Sequence, residues 1–270
     1  MPYLFADADA ESIALHLVEN TAMEDWIATQ EPSVGNWVRL NGFTGKLGQI
    51  LTVPDQDGGI SMVLAGYGTS AKRARVHFPL AHAATKLPEG TYHIASGLPE
   101  SAAETECLGW LLSGYKFDRY KKNVTKTCAL VPPSGVDVAR VSEIAKAEML
   151  IRNLVNTPTS DMGPADMAQA AEALANAHSA TIETIVGDDL LDRNFPLIHT
   201  VGRASATAPR LIDIRWGTQG PKLTLVGKGV CFDTGGLNLK PTSSMSIMKK
   251  DMGGAATVLG LAQMIMACEL

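Results

Sequence analysis

Near the end of the chain, the apolar run Lys222-Leu223-Thr224-Leu225-Val226-Gly227 enters a loop crowded with glycines, lysines and aspartates, then continues into a Gly/Ala/Leu helical pattern from about Asp251 to Leu270. An apolar run, a glycine-bearing loop and a helix in that order form the unit from which α/β folds are built. The run predicts a strand over 222–227, with Lys228 at its carboxyl end. Open parallel sheets bind their ligands outside such ends. Lys228, Asp233, Lys240 and Asp251 are the loop's reactive groups.

The rest of the chain repeats the alternation. Short β-compatible runs lie at 13–17, 48–53, 60–65 and 91–95, with helical patterns at 77–86 and 102–115 between them. Val131-Pro132-Pro133-Ser134-Gly135 interrupts, and a helix is predicted from Val138 to Asn156, stopped by Asn156-Thr157-Pro158. Pro164 suits a first helical turn, so a helix over 165–178 follows, then strands at 181–186 and 211–216. With 270 residues of which 46% are hydrophobic, the chain can fill two cores. The expected domains are 1–135 and 158–270, both α/β, with 136–157 as a connector helix.

Composition narrows the function classes. A net charge of -5 argues against gripping nucleic acid or an anionic membrane through a basic face. Cys107, Cys128, Cys231 and Cys268 are far apart and form no C-x-x-C, so neither a disulfide framework nor a thiolate zinc site is expected. Met1-Pro2-Tyr3-Leu4-Phe5, followed by Asp7, Asp9 and Glu11, lacks the basic and apolar regions of a secretory leader. No apolar run approaches the roughly 20 residues that span a bilayer. A soluble, cytoplasmic protein is expected.

The loop chemistry leaves two readings open. Asp233 and Asp251 are hard oxygen donors for divalent cations, and Lys228 could join them only with its amine deprotonated. The same residues also suit a solvated loop with local Lys–Asp pairs, and Asp251 could simply cap a helix. A P-loop is not expected, because no second Gly-Lys-Ser/Thr follows at the Walker spacing. Gly66-Tyr67-Gly68-Thr69-Ser70 suits a tight turn better than a phosphate cradle. His16, His77, His82, His93, His178 and His199 form no H-E-x-x-H pair and read as surface or packing residues.

The strings Val226-Gly227-Lys228-Gly229, Phe232-Asp233-x-Gly235-Gly236, Leu239-Lys240-Pro241 and Met248-Lys249-x-Asp251-Met252-Gly253-Gly254-Ala255 together resemble the active-site stretch of the leucyl aminopeptidase family of dinuclear metallopeptidases. Arg152 to Pro158, Gly109-Trp110-Leu111-Leu112 and Tyr115 to Lys121 are similar to the family's linker and late N-terminal domain. The resemblance implies a macro-like N-terminal domain and the first part of a catalytic domain. It also implies Lys228, Asp233 and Asp251 as metal ligands, Lys240 as the catalytic lysine and Met248 as lining the pocket for the first side chain. The cofactors implied are two divalent cations, zinc or manganese, and the partners are peptide substrates and, for the full enzyme, a homohexamer.

The family's Asn-Thr-Asp-Ala-Glu-Gly-Arg segment, source of two more carboxylates and an arginine, does not occur in this sequence. The chain therefore reads as C-terminally truncated, inactive alone, and exposing apolar surface that the missing stretch covers. Two rivals remain, a nucleotide or ADP-ribose-binding module in residues 1–135 and a non-catalytic DNA-associated role.

Overall fold

The computed structural model describes residues 5–122 and 128–270. The reading of Met1 to Leu4 as lacking a leader lies outside the described residues. The chain divides into two compact units, Met1–Ala145 and Lys146–Leu270.

In the first unit the order is β1 (Ile13–Glu19), α1 (Met23–Ala28), α2 (Pro32–Leu40), β2 (Ile50–Pro54), β3 (Ile60–Gly68), α3 (Ser70–Arg73), α4 (Ala81–Lys86), β4 (Gly90–Ser96), α5 (Ala103–Ser113) and β5 (Cys128–Val131). The strands form one sheet in the order β2-β3-β1-β4-β5, parallel except for the antiparallel β2–β3 pair. Alternation along β1 sends Leu15 and Leu17 to one face and Val18 to the other. Val18 joins Met23, Ile27, Val38, Phe43, Val53 and Leu64 in a core beneath α1 and α2. The helical pattern expected over 77–86 is shorter in the structure, because Phe78 takes a left-handed φ of 55° and α4 begins only at Ala81. Gly109 makes room for that residue, since a Cβ there would lie 2.3 Å from the Cβ of Phe78.

The Gly66–Ser70 segment is filled by this chain's own backbone. Gly48 N–H donates to Gly66 O at 3.0 Å, Gly66 N–H to Gln49 O at 2.8 Å and Gly68 N–H to Gly45 O at 2.9 Å. A Cβ on Gly66 would lie 1.9 Å from Lys46 O, so glycine is required there for close backbone approach.

Helix α6 (Val138–Asn156) carries the division between the units, and α7 (Pro164–Ala177), β6 (Thr181–Val186), α8 (Asp189–Asp192), α9 (Pro196–Gly202) and β7 (Arg210–Arg215) follow. Pro164 opens α7 as expected, and the Asp166 carboxylate accepts the Gly163 N–H at 2.9 Å. α10 (Thr242–Ser246), a 3-10 turn (Met248–Met252) and α11 (Gly253–Ala267) complete the unit. The core gathers Leu154, Met167, Ala171, Leu174, Met252, Ala256 and Leu259 from α6, α7, the 3-10 turn and α11.

Three expectations fail in this unit. Residues 222–227 form no strand, so Lys228 is not at a strand end, and the sheet among the described residues is an antiparallel β6–β7 ribbon rather than an open parallel one. The physical reason is that a strand exists only through a partner. Among the described residues β7 pairs with β6 alone, and Leu223 and Val226 lie exposed, so β propensity has neither ladder nor burial to complete it. Leu237 and Leu239 are exposed as well. The last helix ends at Ala267 rather than running to Leu270, with Glu269 in a left-handed conformation beyond it. No helix among the described residues is long and apolar enough to cross a membrane.

Candidate functional site

The loop lies against the first turn of α11 through two glycines. A Cβ on Gly227 would sit 2.6 Å from Ala255 Cα, and one on Gly254 would sit 3.0 Å from Lys228 N. That closeness lets Ala255 N–H donate to Lys228 O at 2.9 Å, which anchors the backbone of Lys228 at the helix start. From there the Lys228 Nζ reaches Asp251 twice, donating to its main-chain O at 3.0 Å and to Oδ2 at 3.3 Å.

Asp251 occupies the 3-10 turn ahead of α11 and does not cap that helix, whose N-cap is Met252 with no side-chain cap bond. Its carboxylate instead faces lysines, with Lys250 Nζ 3.6 Å from Oδ1. Burial acts to raise the Asp251 carboxyl, but the hydrogen bond from Lys228 and the charges of Lys228, Lys250 and Lys240 outweigh it and hold the group below the usual carboxylate range. The field of Lys240 thus acts at Asp251, although Lys240 itself is exposed just before α10.

Asp233 is engaged differently. Its Oδ1 accepts the Gly235 N–H at 2.7 Å, and Gly235 and Gly236 take φ of 63° and 83°, an Asx turn that only glycine accommodates easily. Met248 is buried as the first residue of the 3-10 turn. The structure therefore brings together Lys228 and Asp251, within the field of Lys240, and holds the Asp233 carboxylate on its own loop. The sequence strings include Lys249 but assign no role to it or to Lys250, although the doubled lysine beside Asp251 is the signal that marks them.

The pair is an ammonium–carboxylate contact as it stands, and it could serve a divalent cation only with the lysine amine deprotonated. Ligands about 2.1 Å from a tetrahedral metal stand about 3.4 Å from one another, which matches the 3.3 Å between Lys228 Nζ and Asp251 Oδ2. Among the described residues no group of three or more His, Cys, Asp or Glu side chains is placed to hold a metal. Three of the six histidines make polar contacts elsewhere. His16 bonds Ser96 Oγ at 2.8 Å, His93 bonds Ser12 Oγ at 3.0 Å, and His199 meets Asp188 at 3.1 Å.

Comparison with known proteins shows the family. Residues 149–270 match the model of the cytosol aminopeptidase family catalytic domain, and residues 13–133 match the M17 aminopeptidase N-terminal domain. The chain belongs to the leucyl, or cytosol, aminopeptidase family. A probable cytosol aminopeptidase of Gluconobacter oxydans is 31% identical over 277 residues, spanning 94% of this chain and 56% of that protein. The crystal structure of a cytosol aminopeptidase from Coxiella burnetii superposes with a TM-score of 0.91 at 36% identity, covering 100% of this chain and 58% of the other. The bottromycin maturation enzyme BotP, solved in complex with Mn, gives a TM-score of 0.77 at 28% identity, covering 97% of this chain and 57% of its own. The chain thus spans a little over half the length of these relatives. The mixed α/β architecture with an N-terminal and a catalytic portion is that of the M17 aminopeptidases.

Proposed function

We propose that this chain is the front portion of a metal-dependent aminopeptidase that releases N-terminal residues, leucine and other apolar ones preferred, from peptides. In this reading residues 1–135 are the N-terminal macro-like domain, 136–157 the connector and 158–270 the first part of the catalytic domain. The observation that carries it is the Lys228–Asp251 pair, two donors of different chemistry held at coordination spacing by a backbone bond from α11.

Lys228, Asp233 and Asp251 would hold two divalent cations, zinc or manganese, together with carboxylates from outside this chain. When bound, such a pair supplies a water of lowered pKa and positive charge for a tetrahedral intermediate. Lys240 places an ammonium where the carbonyl oxygen gains negative charge. Met248 contributes apolar surface for the first side chain of the peptide. The complete protein would assemble as a homohexamer in the cytoplasm, and the 270-residue chain alone, without the further carboxylates and arginine, would hydrolyse little.

The test is hydrolysis of leucine p-nitroanilide with added manganese or zinc, by this chain and by the chain extended through its downstream reading frame. Activity confined to the extended form and lost on Lys240→Ala or Asp251→Ala supports the proposal. Inactivity of both forms overturns it.

A further inference from the structure

Lys249 stands among the site residues and points away from them. Side chains of a 3-10 turn step by about 120°, so neighbours leave on different sides. Lys250 pairs with Asp251 at 3.6 Å, whereas Lys249 is partly buried and its Nζ donates to the main-chain carbonyl of Asn156 at 3.0 Å. Asn156 is the last residue of α6, where carbonyls lack intrahelical partners and the helix dipole favours a cation. Apolar contacts surround the same junction. Leu154, Met252 and Ala256 share one buried cluster, and a Cβ on Gly253 would lie 3.8 Å from Val155 Cγ2.

We propose that Lys249 is a positioning residue whose ammonium pins the Met248–Met252 turn to the carboxyl end of α6 and thereby aims Asp251 at Lys228. Removing the pin loosens the turn that carries Asp251, while the buried Met252 still holds its end in the apolar cluster. The turn then rotates about Met252, and the Lys228 contacts at 3.0 and 3.3 Å loosen together. The consequence for a cation rests on the function proposed above. The consequence for the turn does not.

The test uses the 270-residue chain in four forms: unsubstituted, Lys249→Met, Lys249→Arg and Arg193→Met, the last removing an exposed ion pair with Glu183 in the same unit. Amide hydrogen exchange reports the turn, through the Ala255 N–H bonded to Lys228 O, against the amides of the β6–β7 ribbon. Electron paramagnetic resonance reports binding of Mn2+ alone. Partners that orient a metal ligand typically contribute about 10- to 100-fold in affinity, and a loss of that size is expected for Lys249→Met, with selective loss of protection at Ala255 and recovery in Lys249→Arg. Uniform loss of protection across the unit, or unchanged exchange at Ala255, overturns the positioning role. If Lys249→Met does not fold, Lys249→Gln takes its place, keeping a neutral donor, and is judged by the same two readouts. Failure of the unsubstituted chain to take up Mn2+ counts against the metal reading alone, and selective or uniform exchange still decides Lys249.

Discussion

Replacing Gly227 by alanine probes the contact on which the site is built. The backbone at Gly227 is not left-handed, so alanine meets no conformational penalty there and the effect is one of space alone. The added Cβ would lie 2.6 Å from Ala255 Cα, 2.8 Å from Gly254 O and 2.9 Å from Ala255 N, all main-chain atoms that no rotamer change can move. Ordinary carbon contacts begin near 3.5 Å, so the loop must retreat from α11 by about 0.9 Å. That retreat stretches the 2.9 Å bond from Ala255 N–H to Lys228 O beyond hydrogen-bonding range. Overpacking of this kind costs about 1–3 kcal/mol and the lost bond about 1 kcal/mol, for a total of about 2–4 kcal/mol. Gly229→Ala is the internal control, because its Cβ would meet only Ala255 Cβ at an ordinary 3.6 Å. There the stiffer unfolded chain should leave stability unchanged or raise it by about 0.4–1 kcal/mol. Urea unfolding of both variants, with exchange at the Ala255 amide, measures the difference. Equal stabilities for the two variants would refute the close approach.

Two further outcomes are expected. Burial raises the Glu106 carboxyl against the opposing hydrogen bonds from Leu80 N–H and Tyr67 O–H and the charge of Arg73. A folded-state value above the unfolded one contributes stability that is full below the unfolded value and is lost as pH rises through the folded one. The stability of the unsubstituted chain relative to Glu106→Gln should therefore fall between acid and neutral pH in urea titrations, and a rise over that window would show that the hydrogen bonds outweigh burial. For the thiols, burial first and then the Glu106 and Glu104 charges push Cys107 up to about 12. N-ethylmaleimide followed by peptide mass mapping should label the half-buried Cys268 well before Cys107, and early labelling of Cys107 would mean that α5 opens in the native state.

Much of the architecture was legible because it is local. Pro158 marks the end of α6 and Pro164 the start of α7, and both helices lie where that punctuation and the helical patterns place them. The Thr181–Val186 strand was legible in the same way. The loop's chemistry stood out through its residue types, and the family through the order of its strings. Phe78 defeated the reading of 77–86, since a left-handed phenylalanine is set by the seat that Gly109 offers it 31 positions later. The 222–227 run was misread for a related reason, as its strand propensity needs a neighbour that β7 does not supply.

The sequence by itself determined the elements that close their own hydrogen bonds and the residue types that crowd the loop. Tertiary structure decided which of those side chains meet. The pairing of Lys228 with Asp251, the seat of Gly227 on Ala255 and the bond from Lys249 to Asn156 each join distant positions, the last of them 93 residues apart. No local pattern encodes such contacts, because their geometry follows from how helices and loops pack once the core of Leu154, Met252 and Ala256 has formed.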